Sequence, residues 1–331
     1  MSESGITVLS PRNLQVFQRR GKLVGFIVVS GRVKPECDKV EVRISGASLQ
    51  GALPDQWQAV TVAGLGQAFS AVLATTPGGW YKVAVRAVRG GAPVAQALVE
   101  QVGVGEVFVG AGQSNSTNSG QFPTQQASGM VSSFSGSDWR IADDPQPGVH
   151  DLSEGGSFWP AFGDALYEKY KVPVGVAVTG HGGTSIDQWQ PDDELFNWMM
   201  TRIYQLGPLG FRAVLWHQGE SDVGGTADEY ARKLTNVIRG STAAAGWEFP
   251  WAVAQVSYHS PDAPSFPTTR EAQQRPWDTG VALEGPDTDT LGGDNRDLEG
   301  AGIHFSPQGC KAHGEMWAQK IAIYLDRVFG E

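Results

Sequence analysis

At 331 residues, 40% hydrophobic and 18% charged, the chain is long enough for one large or two ordinary globular domains and is no disordered polymer. Its formal net charge of −10 disfavours nucleic acid, whose phosphates need a basic face, and no Lys/Arg cluster reverses that balance locally. Two cysteines, Cys37 and Cys310, make no disulfide framework, and no apolar run approaches the roughly 18 residues of a membrane span.

The start, Met1-Ser2-Glu3-Ser4-Gly5, lacks a basic segment followed by an apolar one. A soluble chain is expected, cytoplasmic or secreted after loss of a leader, with oligomeric state left open. Residues 1–103 read as all-β. Leu23 to Val33, Lys39 to Ile44, Ala68 to Ala74 and Trp80 to Val88 are rich in β-branched and aromatic residues, and Gly, Pro, Asp or Ser separates them. Val40-Glu41-Val42-Arg43-Ile44 alternates strictly, so one face is buried and one wet. A small β-sandwich accessory domain of about seven strands is expected.

From Val104 the pattern changes to strand, loop, helix. Glu106 to Ala111, Val172 to Val178, Arg212 to Trp216 and Pro250 to Val256 are apolar strand candidates. Tyr230, Leu234, Val237 and Ile238 form a helical stripe, as do Trp317, Ile321, Tyr324, Leu325 and Val328. Alternating β and α elements predict a parallel sheet with helices on both faces over 104–331, with function at the C-terminal ends of its strands. The polar, Gly/Pro/Ser-rich run from Ser116 to Gly156 reads as a loop lining the site.

Polar clusters follow these apolar runs. Gly112-Gln113-Ser114-Asn115 lifts a serine hydroxyl to the rim of the sheet, the placement a nucleophile needs. The turn is not the Gly-x-Ser-x-Gly elbow, since Ser116 holds the last position, which argues against the α/β-hydrolase fold. His304, in Gly302-Ile303-His304-Phe305, is the candidate base, with Ser306-Pro307 as the entry to the last helix. Gly182, Gly183 and Gln218 are candidate oxyanion donors with the Ser114 N–H; the plain alternatives are a tight turn and a buried amide tying loops together. His181 and His217, with Glu220 and Asp222, match no zinc spacing, so no metal is assigned. Trp139, Trp159, Trp189 and Trp216 are either core or, in one case of the four, a wall of the substrate groove.

Together these blocks resemble the SGNH/GDSL hydrolase superfamily, in its sialate O-acetylesterase-like carbohydrate esterase branch. Gly-Gln-Ser-Asn at 112–115 matches the first block, Gly182-Gly183-Thr184 the second, Gln218-Gly219-Glu220-Ser221-Asp222 the third, and Ile-His-Phe-Ser around His304 the last. The resemblance implies a flavodoxin-like α/β/α fold over 104–331, with Ser114 as nucleophile and His304 as base. It places the oxyanion and substrate at Gly182, Gln218, Gln113 and Asn115. The implied activity is removal of acetyl groups from carbohydrates, with an acetylated glycan of the sialic acid or xylan type as partner and no cofactor. One position departs: the family's aspartate three residues before the histidine is Ala301 here. Glu220, Asp297 and Glu299 are the available acids, and a Ser114–His304 dyad helped by Glu220 is expected. The alternatives are an esterase of short acyl esters unrelated to sugars and a non-catalytic carbohydrate-binding protein.

Overall fold

The computed structural model describes residues 5–63 and 67–330. Among these residues fourteen strands join in one hydrogen-bonded network, accompanied by five α-helices that all lie after residue 158. In the first hundred residues β1 (Ile6–Ser10), β2 (Gln15–Gln18), β3 (Gly25–Val33), β4 (Lys39–Ser45), β5 (Gln58–Ala63), β6 (Ala68–Thr75) and β7 (Gly78–Arg89) pair almost wholly antiparallel. The alternation read from the sequence is the cause. Val40, Val42 and Ile44 of β4 point into the same cluster as Ile27 and Val29 of β3 and Val83 and Val85 of β7.

The next strand, β8 (Ala92–Gly112), crosses the boundary expected at residue 103 without a break. Its first half is antiparallel to β7, while its second half is parallel to β11 (Val174–Val178) and β12 (Ala213–His217). A buried ionic knot marks the crossing. Glu106, wholly buried, takes Arg19 at 2.6 Å, Arg212 at 2.7 Å and the Gln18 amide at 2.9 Å.

Beyond that point β9 (Val131–Phe134), β11, β8, β12, β13 (Trp251–Gln255) and β14 (Leu283–Asp287) lie parallel in that order, with β10 (Trp139–Ile141) antiparallel on the edge. The run 116–156 is therefore more than a loop, because it carries β9 and β10. Successive residues on a strand face opposite sides, and the central strands are apolar on both. Val107, Val109, Val214, Trp216 and Val253 pack with α2 (Glu194–Leu206) and α3 (Ala227–Ala245), which contribute Met199 and Leu234. Phe108, Val176, Leu215 and Ala252 pack with α1 (Trp159–Tyr170) and α5 (Pro307–Phe329), which contribute Phe162, Trp317 and Ile321. Ala272 of α4 (Pro267–Asp278) joins the α2/α3 side. Each large side chain buried this way contributes about 2–3 kcal/mol. Pro307 opens α5 behind Ser306, whose hydroxyl accepts the Gly309 N–H at 3.1 Å. Among the described residues no helix is long and apolar enough to cross a membrane.

Candidate active site

Parallel strands send their following loops out of one edge of the sheet. Gly112 stands opposite His217 and Gly110 opposite Val178, so the loops carrying Ser114, Gly182 and Glu220 leave side by side. Gly112 has φ +131°, and a Cβ there would stand 2.0 Å from the His217 carbonyl oxygen. Only glycine lets β8 pass that close to β12 and then turn. The Gln113 N–H donates to His217 O at 3.0 Å and starts a short 3₁₀ turn over Ser114–Ser116. Ser114, 7% exposed, opens that turn, so its own N–H has no acceptor within it.

Gly182 lies against the turn of Ser114, since a Cβ on it would be 3.5 Å from Ser114 Cβ. Its N–H donates to Asp151 Oδ2 at 2.7 Å. Gln218, expected as a side-chain donor to an oxyanion, is wholly buried. Its Nε2 donates to Gln113 Oε1 at 3.1 Å, Thr184 O at 3.0 Å and Asp222 Oδ2 at 2.5 Å, and Tyr230 Oη donates to its Oε1. Gln218 thus occupies the place of an amide tying loops together. Gln113 is held in the same way, its Oε1 also accepting from the Gly219 and Ser221 N–H groups.

Asn115 couples the two halves of the site. Its Nδ2 donates to Glu220 Oε1 at 2.9 Å and to the carbonyl of Ile303, the residue before His304, at 3.2 Å. Arg296 donates to the same carbonyl at 2.7 Å and to the carbonyls of Leu291 and Thr288, with its guanidinium between the Tyr258 and Phe305 rings. One amide therefore ties the turn of Ser114 to the loop of His304.

Glu220, expected to help His304, instead turns its carboxyl to Asn115. The acid found beside the imidazole is Asp297, whose Oδ2 lies 3.8 Å from His304 Nδ1. Main-chain bonds hold that geometry: the Asp297 N–H donates to His304 O at 2.9 Å, and the Gly302 N–H to Asp297 O at 3.0 Å. Gly302 leaves the space, because a Cβ on it would stand 1.7 Å from Asp297 Oδ1. Glu299 is exposed, as is Ala301.

Burial holds the His304 imidazole below its ordinary value, Asp297 pulls it back up and Arg296 adds to the lowering. That lowering favours the neutral ring, the form able to accept a proton. Burial pushes the Glu220 carboxyl up to about 7, against the hydrogen bond from Asn115. His217, pushed down to about 3 by burial, packs 4.6 Å from the His313 ring with its Nε2 on Thr288 Oγ1, so it serves the core. His181 Nδ1 lies 2.7 Å from His150 Nδ1. The four tryptophans singled out from the sequence are all buried. Of the acids the sequence offered, the structure sets Asp297 rather than Glu220 beside His304, and Asp151, which accepts the Gly182 N–H, carried no signal in the sequence.

Among curated proteins none matches the chain closely enough to count as a relative. In fold it is similar to a carbohydrate acetylesterase from Xanthomonas citri, at 20% identity and TM-score 0.59 over 98% of this chain and 76% of that one. It is also similar to a protein from Arabidopsis thaliana, at 20% identity and TM-score 0.52 over 66% of this chain and 98% of that one. The family model for carbohydrate esterases, sialic acid-specific acetylesterases, matches residues 104–323, and the chain belongs to that family of acetylester hydrolases.

Proposed function

We propose that the chain deacetylates carbohydrates through Ser114 and His304, with Asp297 as the orienting acid and with no metal or cofactor taking part. The observation that carries this reading is the Asn115 amide, which fastens the nucleophile's turn to Ile303 at the same edge of the sheet. With Nδ1 turned to Asp297, His304 takes the Ser114 proton at Nε2. The Ser114 oxygen bonds to the acetyl carbonyl carbon, whose oxygen becomes negative and falls to the Ser114 and Gly182 N–H groups. Collapse breaks the bond to the sugar oxygen, which receives the proton from His304. Water, deprotonated by the same ring, then releases acetate and restores the serine. Gln218, Gln113 and Glu220 brace the loops around these groups.

The parallel strand order 9-11-8-12-13-14, with apolar clusters on both faces, supports a flavodoxin-like SGNH core. The antiparallel strands around the Ile27–Val85 cluster support a β-sandwich unit before it, with the division at 103/104 falling inside β8. The net charge of −10 disfavours a highly anionic polymer as substrate, and the family favours an acetylated glycan. Acetate release from a panel of acetylated xylo-oligosaccharides and O-acetyl sialic acids tests the reading. At least one should be hydrolysed, and Ser114→Ala should abolish it; release that survives the substitution sinks the proposal.

A further inference from the structure

A carboxylate already sits where the reaction needs negative charge to form. Asp151 Oδ2 accepts the Gly182 N–H at 2.7 Å, and a Cβ on Gly182 would lie 3.3 Å from that oxygen and 3.5 Å from Ser114 Cβ. Asp151 and the nucleophile therefore flank the same α-carbon. Its own turn braces it, with Asp151 Oδ1 accepting the Ser153 N–H at 3.0 Å and the Ser153 hydroxyl. The preceding residue is fastened to the same strand end. The His150 N–H donates to Gly180 O at 2.9 Å, and the two imidazoles of His150 and His181 share a hydrogen bond of 2.7 Å. On its outer side, His150 Nε2 reaches Glu194 Oε1 at 3.2 Å. Two consecutive residues, 150 and 151, are thus zipped onto 180–182.

An N–H makes one strong hydrogen bond at a time, and a carboxylate oxygen and a tetrahedral oxyanion ask the same thing of it. Both cannot hold Gly182 together, and each repels the other as a like charge. We infer that Asp151 is an internal competitor for the oxyanion position. Segment 150–151 must release Gly182 before hydrolysis, and the freed N–H then takes small carboxylates, the acetate product among them. This rests on the reading of Ser114 as nucleophile given above.

Asp151→Asn and Asp151→Ala test it in the full chain, through acetate as an inhibitor of ester hydrolysis and through the Gly182 amide resonance during titration with sodium acetate. Asparagine keeps an acceptor for Ser153, so that variant is read if the alanine chain fails to fold. Acetate should bind in the order wild type, asparagine, alanine, with about a tenfold gain across the series, the weight of one charge-assisted hydrogen bond. The Gly182 resonance should move on titration in the variants more than in wild type, and kcat/KM should hold or rise. Unchanged acetate affinity in both variants overturns the inference, as does a fall in kcat/KM without tighter acetate binding. If wild type hydrolyses no acetyl ester, the proposed function fails while the resonance titration still decides the role of Asp151.

Discussion

Replacing Asp297 by asparagine removes one charge and keeps the shape of the side chain. In the structure that charge stands 3.8 Å from His304 Nδ1, with the imidazole 32% and the carboxylate 14% exposed. At that separation an ion pair is worth about 1 kcal/mol in water and about 4 kcal/mol at the effective dielectric of a protein rim. The half-covered setting puts the loss between these limits. The imidazolium exists only while the serine proton is in transit, so this energy is lost from the transition state and not from substrate binding. Turnover should fall by about tenfold to a thousandfold with KM little changed. Because Asp297 holds the imidazole up against burial, its removal lowers that group further, and the acid limb of the rate profile moves to lower pH. The assay is acetate release from pH 4 to 9 for wild type and Asp297→Asn, with thermal unfolding to show that the fold survives. A variant with wild-type turnover and an unmoved acid limb refutes the role given to Asp297.

Three further substitutions probe the frame around that pair. Gly302→Ala puts a Cβ 1.7 Å from Asp297 Oδ1, so it should cost about as much turnover as Asp297→Asn, and the double variant should be no worse than either; additive losses would contradict the shared cause. Burial raises the Glu220 carboxyl to about 7, above its ordinary 4.5, so this group favours the fold below pH 4.5 and that benefit is lost as pH rises through 7. Glu220→Gln should therefore match wild type near pH 5 and unfold later above pH 8, by about 3 kcal/mol at most, and a gap that does not widen with pH would count against this. Glu106→Ala strands Arg19 and Arg212 at the crossing inside β8 and should lower unfolding stability by about 3–5 kcal/mol in urea, against a contrary result of under 1.

The strands that carry Ser114, Gly182 and Glu220 were legible because their residues are apolar on both faces, a pattern that neither loops nor half-wet strands share. Others hid for physical reasons. In β14, Leu283-Glu284-Gly285-Pro286-Asp287, glycine and proline interrupt any apolar run. Ser132 and Ser133 occupy the centre of β9, fully buried, so composition makes that strand read as loop. Helix α4 carries Pro276 in its interior and Pro267 at its start. Ser114 and His304 stand out in the sequence by their neighbours, but Asp297 does not stand out from Glu220 and Glu299. Six residues separate Asp297 from His304, and they close up because Leu298, Glu299 and Gly300 are all left-handed, at φ 49°, 57° and 89°. Two non-glycine residues in that region carry strain that propensity argues against, and such strain gathers at working loops. The reach of Asp297 depends further on the missing Cβ of Gly302, a contact between residues that no spacing rule pairs. Glu220 drew attention as an acid in the third block, whereas its carboxyl faces Asn115 from a fully buried position.

The central claim is that one hydroxyl, on Ser114, is activated by His304. Peptide mapping of the chain after treatment with a fluorophosphonate tests it most directly, because the reagent bonds only to a serine whose proton a neighbour removes. A single adduct on Ser114, lost in His304→Ala although the serine remains, is the result this account predicts. An adduct on another serine, or undiminished labelling of Ser114 without His304, would contradict it.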